Sequence, residues 1–207
     1  INAPVGTLPI LQGYVYHIQD QQSLFNLNAN TGQITTKIVI DREKLGGHDT
    51  ISFFVTGTSS SNTQQHPINV RIKILDINDN FPTFPKSSVT INFLENIKGS
   101  QVSLSTATDE DAGNNGNVSN YVIVSRDDDN KFEVLYDTAQ YGEVLIVRNI
   151  EKLNREERSS YQLNVSVQDH GSNPKFGFLQ IFIHVDDAND NPPIFDQSQY
   201  KASINES

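Results

Sequence analysis

The same acidic, proline-terminated phrase occurs twice in this chain. DINDNFPTF occupies residues 76–84 and DANDNPPIF occupies residues 187–195, so the two copies begin 111 positions apart. A phrase that recurs at one period marks a structural unit used more than once, and this period is the size of a small domain. We therefore expect the 207 residues to form two similar small domains rather than one large domain.

Apolar and polar residues alternate along several segments, which is the pattern of half-buried β-strands. The alternation runs through 68–74 and 179–185, just before the two phrases, and through 161–167. Phe53 and Val55 indicate a matching strand in the first half. No long segment shows helical periodicity, and Gly, Asn, Asp and Pro separate the strands. The pattern predicts an all-β fold of two antiparallel β-sandwiches.

Composition excludes several classes of function. The chain has 15 Lys and Arg against 25 Asp and Glu, a net charge of −10, which argues against binding a nucleic-acid backbone. The absence of cysteine excludes disulfides and thiolate metal sites. Neither HExxH nor GxSxG nor a glycine-rich phosphate loop is present. Paired carboxylates serve glycosidases, but here they lie on repeated connector motifs, so we expect no enzyme and no small-molecule substrate.

The chemistry of the repeated phrase favours calcium. Alternating carboxylates and amides present several hard oxygens to one point, and Ca²⁺ takes six to eight such ligands. Pro82 ends strand pairing and stiffens the connector. Two carboxylates held about 5 Å apart repel by roughly 3 kcal/mol at an effective dielectric near 20, and a divalent ion reverses that sign. Solvated turns are the alternative, but the phrase occurs twice at strand ends. The EF-hand loop pattern is absent.

Further motifs make the chain resemble two consecutive extracellular cadherin repeats followed by the first residues of a third. The repeated phrases match the linker that closes each repeat in that family. The other matches are the middle motif DREKL from Asp41, the opening glutamate motif LEN at 94–96, the acidic loop DEDAGNNG at 109–116, and the late aspartate motif VQD at 167–169. The match extends over essentially the whole chain.

This resemblance implies two tandem Greek-key, immunoglobulin-like β-sandwiches joined by a calcium-binding linker. The implied boundaries are 1–83 for the first repeat, 84–194 for the second, and 195–207 for the start of a third. Since the chain stops inside a motif, we interpret it as part of a longer protein whose membrane anchor lies elsewhere.

The resemblance also implies three calcium ions at the junction of the two repeats. Two ions would take the ligands Asp41, Glu43, Asp76, Asp79, Asp111 and the Ile77 carbonyl. The third ion would take Asn78, Asp109, Asp111, Asp169 and the carbonyl oxygens of Asn80 and Asn115. The family's opening glutamate falls on Ile1 in the first repeat, so this ligand either is missing or lies just upstream with a small register shift.

A second junction is implied after the second repeat. Its expected ligands are Glu95, Asn154, Glu156, Asp187, Asn189 and Asp190. Asn154 stands where the family usually has aspartate. An amide oxygen still coordinates calcium but carries no charge, so we expect weaker binding at this junction.

The first repeat departs from the family pattern. It lacks the acidic loop, and residues 56–58 read Thr-Gly-Thr where the late aspartate is expected. We therefore expect it to be the membrane-distal repeat, with a calcium-free internal linker as the alternative. The chain has no tryptophan, which excludes tryptophan-anchored strand exchange. The short first repeat is similar to those of the giant Fat and Dachsous cadherins, which bind one another between neighbouring cells.

The resemblance implies a function in calcium-dependent cell–cell adhesion. The expected partner is another cadherin ectodomain bound in trans, homophilically or heterophilically as in planar polarity signalling. The expected location is the extracellular region of a single-pass plasma-membrane protein. A calcium-stiffened spacer without an adhesive partner is the alternative.

Two sequons predict N-glycosylation at Asn117 and Asn164. In the strand at 161–167 the alternation places Gln162, Asn164 and Ser166 on the solvent side. A glycan at Asn164 is therefore sterically feasible.

Overall fold

A computed structural model describes residues 1–21, 23–59, 65–126, 130–138 and 142–206. Ser207, the last residue of the predicted third-repeat segment, lies outside this description. The described residues form thirteen β-strands and one short 3₁₀ turn, which confirms the predicted all-β fold. Within the described part of the chain, no helix has the length and hydrophobicity needed to cross a membrane.

The chain divides into two compact units that each draw on three segments. The first unit contains 1–83, 107–119 and 167–177, and the second contains 84–106, 120–166 and 178–207. The segments 107–119 and 167–177, which the sequence boundaries assign to the second repeat, thus belong to the first compact unit. The boundaries of the repeats themselves stay a prediction.

Two three-stranded antiparallel sheets form the framework of the first unit. One sheet has the order β1–β4–β3 and the other β2–β5–β6. The elements are β1 (Pro4–Thr7), β2 (Tyr14–Ile18), β3 (Phe25–Leu27), β4 (Gln33–Thr36), the 3₁₀ turn (Glu43–Leu45), β5 (Thr50–Ser59) and β6 (Gln65–Lys73). Tyr16, Phe25, Ile34 and Phe53 come from both sheets and share one buried cluster, which makes this unit a β-sandwich. The rings of Phe25 and Phe53 stack at 5.3 Å.

Two further sheets lie mainly in the second unit, and the ends of β9, β12 and β13 extend into segments of the first. One has the order β10–β11–β8 and the other β7–β13–β12–β9. The strands are β7 (Ser88–Leu94), β8 (Gln101–Ser105), β9 (Val118–Arg126), β10 (Phe132–Asp137), β11 (Val144–Asn149), β12 (Ser160–Asp169) and β13 (Phe176–Asp186). Phe132 packs on Phe93 and on Tyr161, each at 5.4 Å between ring centroids, and so joins the two sheets.

Two details differ from the sequence prediction. β7 pairs with β13 in parallel, so the sandwich is not purely antiparallel. Parallel neighbours need a long crossover, and no local pattern encodes such a pairing. Ser166 is buried at 4% exposure, although the alternation places it on the solvent side. It lies on β12, an inner strand of its sheet between β13 and β9.

Candidate metal centre

Four segments of the first unit bring acidic and amide side chains together. They are the 3₁₀ turn that begins beside Arg42, the connector 76–80, the loop 109–115 and the loop 169–175. We call this group the first acidic cluster. Gly46 closes the 3₁₀ turn at φ 76° and donates its N–H to the Glu43 carbonyl at 3.0 Å. The turn, which lies between β4 and β5, thereby holds Glu43 in a defined position.

A backbone bridge ties the connector to the acidic loop. Thr83 N–H donates to the Thr108 carbonyl at 2.8 Å, and Thr108 N–H donates back at 3.0 Å. The Thr83 bridge follows directly after buried Pro82, which cannot itself donate to a ladder. The connector and the loop that follows Thr108 therefore start from one fixed point.

Three carboxylates converge in this cluster. One oxygen each from Glu43, Asp79 and Asp111 lies within 4.8 Å of the others. Asp111 is buried, Glu43 half-buried and Asp79 exposed. Like charges this close destabilise the folded state unless a cation lies between them.

Hydrogen bonds orient the carboxylates. Asn80 donates its backbone N–H to Asp111 Oδ2 at 3.1 Å and its side-chain amide to Asp111 Oδ1 at 2.7 Å. Asp111 N–H in turn donates to Asp109 Oδ1 at 3.0 Å. These bonds preorganise Asp109 and Asp111 without using all of their lone pairs.

The loop 169–175 is organised around a fully buried carboxylate. Asp169 Oδ1 accepts from Gly171 N–H at 2.8 Å and from the Asn78 amide at 3.1 Å, while Oδ2 accepts from Lys175 N–H at 2.9 Å. The Asn78 amide also donates to the Asn173 carbonyl at 3.1 Å. The amide nitrogen of Asn78 thus donates both of these hydrogen bonds, to Asp169 and to Asn173. Its Oδ1 remains the only side-chain atom available to a cation.

Unpaired buried oxygens identify where a cation fits. Four buried side-chain oxygens in the described part of the chain have no hydrogen-bond partner, and three belong to this cluster: Glu43 Oε1, Asn78 Oδ1 and Asp109 Oδ2. Glu43 Oε1 lies 2.6 Å from Arg42 Nη2, but the geometry makes this an ion pair and not a hydrogen bond. Each unsatisfied buried oxygen costs about 1–3 kcal/mol. A hard divalent cation would satisfy all three, so the residues present fit calcium.

Two glycines permit the close packing around these oxygens. A Cβ on Gly171 would lie 2.2 Å from Asn78 Nδ2 and 2.8 Å from Asn115 Oδ1. A Cβ on Gly116 would lie 1.9 Å from the Asp111 carbonyl oxygen. Asn115 itself donates its amide to Asp76 Oδ2 at 2.9 Å. No side chain fits at Gly116 or Gly171 without displacing a predicted ligand.

Asp41 and Ile77, two further ligands predicted for the first acidic cluster, differ in their contacts and exposure. Asp41 accepts Lys44 N–H at 2.9 Å and Lys44 Nζ at 2.7 Å, and it is not one of the three converging carboxylates. The hydrogen bond from the Lys44 side chain lowers the pKa of Asp41, and the bond from the Lys44 backbone lowers it further. Ile77 exposes 72% of its surface, so it would contribute only its carbonyl oxygen.

Burial and charge act together on Asp109. Its partial burial raises its pKa, and the neighbouring charges of Asp111 and Asp169 raise it further. The hydrogen bond from Asp111 N–H and the charge of Lys175 offset part of this increase. Asp109 therefore resists ionisation in the absence of a cation.

Arg42 is the residue of this site that the sequence patterns missed. It is buried, its Nε donates to Asp76 Oδ1 at 2.7 Å, and its Nη2 donates to the Glu110 carbonyl at 2.9 Å. Burial lowers the pKa of Arg42, but the bond to Asp76 and the charges of Asp76, Glu43 and Asp111 outweigh it and raise the pKa. Its central place in Asp-Arg-Glu is the signal that the sequence offered.

A second acidic cluster lies in the second unit. Oxygens of Glu95, Glu156 and Asp190 lie within 4.8 Å of one another. Glu95 is almost completely buried at 1% exposure, and its two oxygens accept the N–H groups of Arg155 at 2.8 Å and Ala188 at 2.9 Å. This opening glutamate is thereby locked in position.

Other predicted ligands near the second cluster bind local partners. Asn154 Oδ1 accepts Glu157 N–H at 3.0 Å, the same turn that Asp41 forms with Lys44. Asp187 Oδ1 lies 3.3 Å from Arg155 Nη2 and 3.4 Å from Asn189 N–H. Asp187 is not one of the three converging carboxylates.

The two predicted glycosylation sites differ in exposure. Asn117 is exposed and Asn164 half-buried. In the first sequon, Ser119 Oγ lies 2.8 Å from His170 Nε2. Glycosylation at both positions stays a prediction.

Comparisons with known proteins give a consistent picture. The Cadherin domain family matches residues 89–186, and the family described as FAT4-like, N-terminal cadherin-like domain matches residues 1–76. Mouse Protocadherin Fat 4 is 38% identical over 206 residues, which are 98% of this chain and 4% of that protein. The Protocadherin-like wing polarity protein stan of Drosophila melanogaster is 31% identical over 195 residues, covering 90% of this chain and 5% of that protein.

Solved structures agree with the sequence comparisons. The crystal structure of Protocadherin Gamma C5 EC1-3 superposes with a TM-score of 0.75 at 26% identity, covering 88% of this chain and 58% of that chain. Protocadherin Gamma B7 extracellular cadherin domains 1-4 gives a TM-score of 0.77 at 26% identity, covering 95% of this chain and 49% of that chain.

Proposed function

Because this chain belongs to the cadherin family, we propose that it is an adhesive module whose first acidic cluster binds calcium. Cadherins are adhesion proteins and not enzymes, which agrees with the expectation drawn from the sequence. The observation that carries the proposal is the set of three buried oxygens without a hydrogen bond, on Glu43, Asn78 and Asp109, all of them predicted ligands.

The arrangement supports two groups of ligands within this cluster. One group comprises Glu43, Asp79 and Asp111, whose oxygens already converge. The other comprises Asn78 and Asp109, each with a free buried oxygen beside the buried Asp169. Asp111 contacts the connector through Asn80 and neighbours Asp109, so it can serve both groups.

Calcium would act as a mechanical clamp. Without it, the carboxylates repel one another, and the connector 76–80 is held by hydrogen bonds and by the ion pair between Arg42 and Asp76. With it, the connector and the loops 109–115 and 169–175 share one ion cluster, so their relative motion costs metal–oxygen bonds. We propose that this clamp fixes the predicted first repeat, 1–83, relative to the predicted second repeat, 84–194.

The stiffened module would present its surface to a cadherin on a neighbouring cell. The chain spans 4% and 5% of the two relatives described above, so their partners apply to it only as a proposal. The similarity to Fat 4 and to a wing polarity protein supports a heterophilic partner of the Fat and Dachsous kind and a role in planar polarity. We further propose that the full-length protein is held at the plasma membrane by a single span outside this chain.

Bead aggregation tests the adhesive part of the proposal. Beads coated with this chain are mixed with identical beads and with beads that carry candidate Fat- and Dachsous-type first repeats, in calcium and in chelator. Clumping only in calcium and only in mixed populations is the expected result. Clumping of identical beads would show homophilic adhesion instead, and no clumping would favour the spacer.

Small-angle scattering tests the clamp independently of adhesion. We expect the maximum dimension of the chain to be better defined in calcium than in chelator. Asp79→Asn should reduce this difference, whereas Asp49→Asn, an exposed carboxylate outside the cluster, should not. Identical scattering with and without calcium would refute the clamp.

A further inference from the structure

We propose that Arg42 is a built-in cation, which offsets part of the negative charge of the first acidic cluster when calcium is absent and raises the calcium concentration needed to fill it. This inference rests on the proposed calcium site and adds a regulating residue to it. Arg42 is not an oxygen ligand, and the motif match assigns it no role. Its role follows from its contacts and its burial.

The guanidinium of Arg42 joins three segments of the cluster. Its Nε donates to Asp76 Oδ1 at 2.7 Å on the connector, and its Nη2 donates to the Glu110 carbonyl at 2.9 Å on the acidic loop. Its Nη1 donates to the Gly47 carbonyl at 3.2 Å, just after the 3₁₀ turn. These are also the segments that the proposed calcium ions would join. In the ion-free protein, Arg42 can therefore hold the segments together in place of a metal.

Arg42 contacts carboxylates that calcium would also use. Its Nη2 forms an ion pair at 2.6 Å with Glu43 Oε1, a buried oxygen that accepts no hydrogen bond, and Asp76 is a predicted ligand. A guanidinium keeps its charge at any physiological pH. A calcium ion must therefore bind beside a fixed positive charge or displace it from Glu43. Both alternatives weaken calcium binding relative to the same carboxylates without the arginine.

The second cluster of the same chain contains an internal comparison. Arg155 occupies the equivalent place in Asn-Arg-Glu and makes the equivalent ion pairs, at 3.2 Å to Glu156 and 3.3 Å to Asp187. Its side chain is 42% exposed, whereas that of Arg42 is 9% exposed. Solvent and salt screen the contacts of Arg155 far more than those of Arg42. Of the two acidic clusters, only the first therefore contains a buried arginine.

The test replaces each arginine by glutamine and measures two quantities. Arg42→Gln and Arg155→Gln are compared with the parent chain, all in a Glu156→Gln background that weakens the second cluster. The midpoint of thermal unfolding is measured in chelator, and the calcium dissociation constant of the first cluster is measured by titration calorimetry. For Arg42→Gln we expect a lower midpoint in chelator together with calcium binding that is tighter by about tenfold. For Arg155→Gln we expect both quantities to stay close to those of the parent.

The opposite signs of the two effects separate this role from a structural one. Loss of a merely structural arginine would lower the midpoint in chelator and also weaken calcium binding, and that result would overturn the proposal. Unchanged calcium affinity in Arg42→Gln would overturn it as well.

If Arg42→Gln fails to fold in chelator, Arg42→Lys replaces it. Lysine keeps the charge but loses the fork that reaches three acceptors. We therefore expect a lower midpoint in chelator and a calcium affinity within about threefold of the parent, whereas a large gain in affinity would contradict the charge argument. A parent chain that shows no calcium binding would overturn the proposed function itself, and with it this inference.

Discussion

Asp79→Asn tests whether Asp79 supports the fold of the ion-free protein or binds a calcium ion. Asp79 is exposed, and its oxygen lies within 4.8 Å of carboxylate oxygens of both Glu43 and Asp111. Asparagine keeps the size and shape of the side chain and removes only the charge. In the ion-free protein, each like-charge contact at this distance costs about 1 kcal/mol at the dielectric of water, so the substitution should leave stability unchanged or slightly higher.

Calcium reverses the direction of the effect. Attraction between a divalent ion and one carboxylate oxygen about 2.4 Å away amounts to roughly 3 kcal/mol at the dielectric of water. We therefore expect the calcium affinity of Asp79→Asn to fall by about a hundredfold. At a fixed calcium concentration that fills the parent, the midpoint of thermal unfolding should fall by roughly 5–10 °C.

The assay is thermal unfolding with and without calcium, combined with titration calorimetry. Asp49→Asn is the matched control, because Asp49 is an exposed aspartate of the first unit that lies outside the cluster. It should change neither quantity. A midpoint for Asp79→Asn that falls equally in chelator and in calcium would show that Asp79 supports the fold and not an ion, and would refute the reasoning.

Three further predictions concern packing and protonation. Gly171→Ala would place a Cβ 2.2 Å from Asn78 Nδ2, so we expect at least tenfold weaker calcium binding by calorimetry; Gly6→Ala, with open space around its Cβ, is the control. The folded-state pKa of Asp109 is raised, mainly by burial, so its contribution to the stability of the ion-free protein is present at low pH and should be lost as pH rises through that pKa. Calcium affinity should fall as pH drops through the same range, which calorimetry in buffers of different ionisation enthalpy would detect as proton release. Phe53→Ala should lower the free energy of unfolding by about 3–5 kcal/mol in chemical denaturation, because Phe53 is 1% exposed in the core of the first unit.

Much of the fold follows from local patterns. The period-two alternation predicted the strands that end before each acidic phrase: 68–73 lie in β6, which ends one residue before Ile74, and 179–185 lie in β13. Phe25 and Phe132 are each the buried first residue of a strand. Alternation identifies strands because side chains of successive residues point to opposite faces of a sheet.

Part of the candidate metal centre was also expected from the resemblance to cadherin repeats. Glu43, Asp79 and Asp111 were predicted to bind ions in common, and their oxygens converge. Oxygen-rich motifs are recognisable because a hard cation demands many oxygens, whichever fold presents them. The pairing of Asp41 with Lys44 was not visible, since nothing in the local pattern favours that partner over a metal.

The amino-acid sequence thus determined the strand pattern and the repeated acidic phrase, because each is written in a short local stretch of residues. The parallel pairing of β7 with β13, the burial of Ser166 and the position of Arg42 were decided only by the tertiary structure. Arg42 reaches Asp76 and Glu110, which are 34 and 68 positions away along the chain. Contacts over such distances form only when packing of the core has brought the segments together, and no short motif records them.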